Sequence, residues 1–470
     1  MSAQKKEYYT LDTMYSDENE KPSRDRRLYT LREEVPETAV LKLGVPLIAG
    51  MFIMAFYNLV DTWFIGLLQN DYQLAAVSLG YPVMMILIAV SNIIGTGSSS
   101  LIARSLGAED IPAAVHTLTA GFVLTLLNSL MVTLIGLLFL HPLVTALGAK
   151  EHTFLYTADY VSVLLSGSFF IMGSYTFGQL LRSEGAVKRS VTAMAAGTLA
   201  NIILDPLFIF VLHMEVRGAA IATVLGNALS ALLCISFYLR HLTILRPDRR
   251  YLIPSPAILK EIYWVGIPAA LETLLTSAAY IITNNLAVSF AELTVAAMGT
   301  AQKILSLGSY IYQGFAAGTQ PIMGFNFSAR NYRRMIDVLR AGLKIVTLTE
   351  LAVMVLFGLS APQLIGLFSE NPEVIHTGST ALRALMFILP TAGATSMSRM
   401  SFQAMGKPQY AFLITVIRQL VLCIPLLLIL SRLSGFRGLI CAQPLSEAIM
   451  MAFSVSLLIH TIHQASRAEK

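Results

Sequence analysis

The residues in this sequence with the most evident capacity for chemistry are acids embedded in apolar stretches. An acid at the centre of a membrane helix costs roughly 2.5 to 3.5 kcal/mol on insertion scales, so it persists where it faces a cavity or a partner. Asp61 stands late in the first apolar stretch, in Tyr57-Asn58-Leu59-Val60-Asp61-Thr62, and Asp205 stands mid-way through the fifth, in Asn201-Ile202-Ile203-Leu204-Asp205-Pro206. Asn201 and Asp205 are four residues apart and share one helical face, while Pro206 removes a backbone donor and leaves a carbonyl free for a ligand. Asn58 and Asp61, three apart, form a second polar face with the Thr62 hydroxyl nearby. Carboxylates, an amide and a hydroxyl in this arrangement suit a proton or a cation. The competing reading for either Asp is a structural contact with a neighbouring helix.

The second half carries its own charges within apolar stretches, namely Glu272, Lys303, Glu350, Arg383, Arg399, Arg418 and Glu447. Two expectations stand side by side. Glu272 and Lys303 face a central cavity and tune the charge it accepts, or the charges pair internally and cancel much of their insertion cost. Met54 and Met172, with Met51, Met84 and Met85, lie where a cleft is expected; soft, flexible side chains suit a promiscuous pocket, and they equally suit a membrane core.

Familiar catalytic patterns are missing. The sequence has no Gly-rich phosphate loop ending in Gly-Lys-Ser/Thr, no His-Glu-x-x-His and no paired Cys-x-x-Cys, and its eight histidines lie singly. Cys234, Cys423 and Cys441 fall inside apolar segments and read as small buried hydrophobes. The chain is therefore expected to be no enzyme and to draw energy from an ion gradient; a cation crossing 100 mV gains roughly 2.3 kcal/mol.

The elements that must position these residues are membrane helices. Of 470 residues, 55% are hydrophobic and 13% charged, with a mean hydropathy of +0.65; an ordinary soluble domain carries about 25% charged residues. Breaks at polar, Gly or Pro clusters predict an all-α polytopic protein of twelve transmembrane helices. Its expected organisation is a cytoplasmic tail at 1–38, six spans over 39–240, a linker at 241–256, six more spans over 257–462 and a tail at 463–470. Basic residues crowd the loops of one side, with Arg104, Arg182, Lys188, Arg189, Arg240, Arg246, Arg249, Arg250, Lys260, Arg330, Arg333, Arg334 and Lys407. The opposite loops hold Lys150, Arg217, Arg432 and Arg437, so both termini are expected in the cytoplasm.

The two sets of six spans echo each other at an offset of about 221 residues. Leu-Gly-Val-Pro at 43–46 recurs as Val-Gly-Ile-Pro at 265–268; Gly97 matches Gly318, Pro142 matches Pro362, Gly185 matches Gly406 and Arg217-Gly218 matches Arg437-Gly438. An even number of spans per repeat sends both halves into the membrane in the same direction. This predicts two six-helix lobes about a pseudo-twofold axis along the membrane normal, with substrate bound between them.

Pro46 followed by Asp61, the Asn201 to Asp205-Pro206 face and Thr223 resemble the amino-terminal-lobe ion site of prokaryotic multidrug and toxic compound extrusion (MATE) transporters, particularly their DinF-like branch. Asp61-Thr62-Trp63-Phe64-Ile65-Gly66, Ala103-Arg104-Ser105-Leu106-Gly107-Ala108 and Arg182-Ser183-Glu184-Gly185 carry the same resemblance, which covers about residues 36–462. It implies that Asp61, Asn201, Asp205 and Thr223, with Tyr160 nearby, line a protonation or sodium site. It also implies that the first helix bends about Pro46 as that site fills, the alternative being a static bend.

The second half departs from the branch that keeps a Norm-like sodium site there, so no such site is expected. The implied function is secondary active efflux of organic, cationic or amphipathic substrates in exchange for H+ or Na+, with no other cofactor and no nucleic acid, by a monomer in the bacterial plasma membrane. A lipid-linked oligosaccharide flippase or a narrow-substrate carrier of the same superfamily is the alternative, kept open by Arg383, Arg399 and Arg418.

Overall fold

The structure is a computed structural model that describes residues 21–68, 70–288 and 292–467; the side chains of Asn58 and Thr62, both named above, lie outside the described set. Part of the expected amino-terminal tail is a helix, α1 (Lys21–Arg32). The first lobe comprises α2 (Pro36–Gly66), α3 (Asp71–Gly107), α4 (Ile111–Leu138), the short α5 (Leu140–Ala146), α6 (Glu151–Ser166), α7 (Ser168–Ser183), α8 (Val187–Pro206) and α9 (Glu215–Leu239). The second lobe repeats that order with α10 (Pro256–Val288), α11 (Glu292–Ser328), α12 (Tyr332–Leu359), the short α13 (Ala361–Gly366), α14 (Pro372–Leu385), α15 (Ile388–Ala404), α16 (Pro408–Val416) and α17 (Ile424–Arg467).

Correspondence between the lobes extends to irregular details. Helices α3 and α11 are both 37 residues long, and α4 and α12 both 28. Gly185 and Gly406 both take positive φ, at 73° and 70°. A π-helical stretch, Leu207–Val211, follows α8, and another, Ile417–Cys423, joins α16 to α17. Among the described residues, seven helical stretches are long and apolar enough to span a membrane, and α6 with α7, bent by 52°, makes an eighth. The stretch Pro408–Arg467 breaks at Gly435, whose φ of 58° and ψ of −138° suit a residue without Cβ, and so supplies two passes. With α10, α11 and the α14–α15 pair in the places of α2, α3 and the α6–α7 pair, the described residues make twelve passes. Leucines such as Leu138 and Leu359, 77% and 76% exposed, look outward, as a surface solvated by lipid requires.

The lobes meet through α2 against α11 and α3 against α10. A Cβ added to Gly97 or Gly266 would run into the main-chain carbonyl of Ile262 or Ile93, and one added to Gly318 would come 2.7 Å from the Gly44 nitrogen. These glycines come from two positions of the repeat, and they let the helix backbones cross in near contact. Around the crossings, Ser100 Oγ donates to the Gln403 carbonyl at 2.6 Å and Arg104 pairs with Glu261 at 2.9 Å. All of these residues lie in the half of the molecule that carries the start of α2, the end of α17 and the 241–256 linker.

Helix α1 is keyed into that sealed end. Leu31 is fully buried, its carbonyl accepts from Asn326 Nδ2, and Arg334 donates to the carbonyls of Thr30, Leu31 and Glu34. On the other lobe's side, Arg27 Nη2 donates to the Leu242 carbonyl at 2.9 Å. Beside it, Glu184 Oε2 accepts the backbone N–H groups of Ile244 at 2.6 Å and Leu245 at 3.1 Å. Burial pushes the Glu184 carboxyl up to about 7 from 4.5, against the Leu245 donor and the Arg27 charge. Folding therefore favours the proton-bound form, whose stabilisation is complete below about 4.5 and is lost as pH rises through about 7. Thermal unfolding of the wild type is expected to occur at progressively lower temperature over that interval, and Glu184→Gln should flatten the dependence; an unchanged slope in the variant would refute it.

Candidate functional site

The first lobe holds a cavity of about 930 Å³ that runs from Asp61 and Ile65 to Arg182 and Ser190, beside the end where the lobes meet. Helix α2 delivers Met54, Tyr57 and Asp61 to its wall at helical spacing; α6 delivers Tyr160, α8 Asn201 and α9 Thr223. Asp205, one turn beyond Asn201, is fully buried behind that wall. Its carboxyl meets that of Asp61. Tyr57 lies within reach of both acids, of Tyr160 and of the Thr223 hydroxyl. Tyr160 fits because residue 80 is glycine: a Cβ there would stand 2.5 Å from the Tyr160 ring.

The polar atoms of this group are incompletely satisfied. Asn201 Nδ2 donates to Thr223 Oγ1 at 3.4 Å, but Asn201 Oδ1, Asp61 Oδ1 and both Asp205 oxygens are buried without a hydrogen-bond partner. Buried acceptors are nearly always paired, so several orphaned oxygens in one place call for a donor or a positive charge, which a water, a proton or a cation can supply. Two carboxyls, an amide oxygen and a hydroxyl suit a proton or a monovalent, oxygen-seeking ion. No group of three or more His, Cys, Asp or Glu residues among the described ones could hold a metal. Pro206 and the following π-helical stretch adjoin this acid; proline offers no N–H, so the Ile202 carbonyl loses its usual donor.

The other expected residues separate. Lys303 on α11 lines the cavity, facing it from the second lobe. Glu272 does not: it forms an ion pair with Arg399 and receives Gln403 Nε2 at 3.5 Å, so its charge is neutralised within the second lobe. Met172 is also corrected, because it is fully buried among Leu87, Leu164 and Ile171 and does not line the cavity. Pro46 lies inside α2, which remains helical from Pro36 to Gly66. Sequence reasoning passed over Tyr57, although its i, i+4 spacing from Asp61 already set it on the same face. It also assigned Arg182 to a loop, whereas Arg182 ends α7, lines the cavity and donates to Ser190 Oγ at 3.0 Å.

A doubled bundle whose lobes meet at one end and flank a cavity with paired acids is the architecture of a membrane carrier. The MatE family model matches residues 46–207 and again 268–429, each match beginning at the repeated proline, and the chain belongs to this family of MATE transporters. The Staphylococcus haemolyticus multidrug export protein MepA is 26% identical over 447 residues, covering 95% of this chain and 98% of that protein. MepA of Staphylococcus aureus is 26% identical over 439 residues, covering 93% and 97%. Among solved structures, an outward-facing multidrug resistance MATE transporter of the MOP superfamily superposes with a TM-score of 0.90 at 30% identity, covering 94% of this chain and 99% of that one. A MOP superfamily transporter from Pyrococcus furiosus, described as having a binding pocket of reversed polarity, superposes at 0.88 and 30% identity, covering 94% and 98%.

Proposed function

We propose that this chain is a secondary active multidrug efflux antiporter of a bacterial plasma membrane, with both termini cytoplasmic, exchanging H+ or Na+ for organic cationic or amphipathic substrates. The observation that carries the reading is the Asp61–Asp205 pair with its orphaned oxygens against a cavity large enough for a drug-sized molecule. Aromatic and methionine side chains in the wall, among them Tyr57, Tyr160 and Met54, provide apolar, adaptable contact for substrates of varied shape.

With the sealed half toward the cytoplasm, the cavity belongs to the outward-open state. Arrival of the coupling ion satisfies the orphaned oxygens and removes the negative charge that holds a cationic substrate, which then leaves to the outside. The lobes next rock about the α2–α11 and α3–α10 crossings, and the ion departs on the other face. Membrane alternating access of this kind draws on binding differences between two states. The flippase reading wants a cleft lined with arginines. Here Arg399 and Arg418 are engaged by Glu272 and Glu447, and Arg383 Nε donates to the Gly358 carbonyl.

The test is efflux of a fluorescent organic cation from liposomes holding the purified protein, with proton and sodium gradients imposed separately. Transport under one gradient identifies the ion; no transport of any organic cation under either gradient would overturn the proposal in favour of the flippase or a narrow-substrate carrier.

A further inference from the structure

The second lobe contains a buried acid that the Asp61–Asp205 site does not use. Glu350 lies on α12 with no exposed surface, and neither of its carboxyl oxygens has a hydrogen-bond partner. One helical turn to either side on the same face are the apolar Val346, Val353 and Met354, which pack into the lobe's hydrophobic clusters. In the first lobe, the place that Glu350 takes in α12 is held in α4 by Ser129, a neutral side chain whose hydroxyl is satisfied by the Leu126 carbonyl. The repeat therefore does not require an acid here.

The charged groups packed about α12 leave this acid uncompensated. From α11, Tyr312 lies beside Glu350 and within electrostatic reach of Glu447 and Arg418. Arg418, in the π-helical stretch before α17, is committed to Glu447 Oε1 at 2.8 Å, and Glu447 Oε2 is itself buried without a partner. From α15, Arg399 is committed to Glu272 of α10; from α14, Arg383 reaches the Gly358 carbonyl; on α2, Lys42 pairs with Glu34 at 2.8 Å. Glu447 thus holds Arg418, and none of these cations pairs with Glu350.

We propose that Glu350 is a proton-binding site of the second lobe, distinct from the Asp61–Asp205 pair. An ionised carboxylate enclosed by apolar side chains, with no counter-charge and only the Tyr312 backbone beside it, carries a desolvation cost of several kcal/mol. A proton removes that cost with one bond, from a water-derived H+ to a carboxyl oxygen lone pair. A metal cation would need several oxygen ligands, and the flanking turns supply one side-chain hydroxyl, Thr347, beside the apolar Val346, Val353 and Met354. Occupancy then depends on whether water reaches the group. Rearrangement of α11 and α17 past α12 in the opposite-facing state would hydrate Glu350 and release the proton, so the second lobe carries one proton per cycle. This use of the proton rests on the efflux reading; the proton-binding itself does not.

Two readouts separate the claims. Infrared difference spectra of the purified wild type against Glu350→Gln should show one protonated-carboxyl band lost in the variant, whereas Glu447→Gln should keep it. In liposomes, the protons exchanged per substrate, read from the gradient that halts transport, should fall by one in Glu350→Gln. An unchanged band with unchanged stoichiometry overturns the proposal. Should Glu350→Gln not fold, Glu350→Asp retains a carboxyl and must shift the band, and an unshifted band overturns it equally. Absence of gradient-driven transport in the wild type would sink the efflux reading while leaving the infrared result to decide the site.

Discussion

Asp205→Asn is expected to reduce the gradient dependence of efflux by about 5- to 150-fold, the span of a coupling free energy of 1 to 3 kcal/mol. The amide keeps the shape of the side chain and the packing behind the cavity wall, but it can neither take up a proton nor present two anionic oxygens. Its effect on folding should run the other way. Asp205 is fully buried with no donor to either oxygen, so replacing it removes a desolvated charge and should leave the thermal midpoint unchanged or raise it. Transport under an imposed gradient, transport by substrate concentration alone and a melting curve on the same preparation together test this. Retention of the full gradient effect would remove Asp205 from the coupling mechanism, and a marked fall in the melting temperature would recast it as a structural residue.

The second large effect is expected at the lobe crossings. A methyl group at residue 266 overlaps the Ile93 carbonyl, a main-chain atom that cannot swing aside as a long side chain would. Gly266→Ala should destabilise this conformation by about 1 to 3 kcal/mol, the usual penalty for overpacking, and shift the population toward the state open at the end where the termini lie. A cysteine replacing Ala103, buried at the seal, in a background without the native thiols, should then react faster with a maleimide by roughly 5- to 150-fold, following the same free-energy range. Gly299→Ala is the control, since nothing lies within 4 Å of the added carbon. Equal labelling in the two variants would mean that the crossing does not govern access.

Much of this was legible before any coordinates. The repeat was visible because Gly44, Gly97 and their counterparts Gly266 and Gly318 sit where main chains touch, a constraint that permits no other side chain and so leaves a mark in the sequence. The shared face of Asn201 and Asp205 followed from helical spacing. What remained hidden was pairing across helices. Spacing alone could not decide whether Glu272 pointed to the cavity or to Arg399, because partners 127 residues apart leave no local pattern. Met172 was misplaced for the same reason: a flexible apolar side chain reads alike in a pocket wall and in a core. Helix α1 escaped notice because its polar run, Lys-Pro-Ser-Arg-Asp-Arg-Arg, has the look of a solvated tail, and the two leucines that anchor it, Leu28 and Leu31, are too few to set a periodicity.

That helix has a kinetic consequence. Through Arg27 it holds the linker, and through Leu31 and the Arg334 contacts it holds the second lobe, so it acts as a clasp across the seam that must part when the carrier turns over. On the exchange mechanism proposed above, the time spent facing one way would be set partly by how often the 12 residues of α1 let go, and turnover would be adjustable from the tail without altering a group that touches cargo or ion.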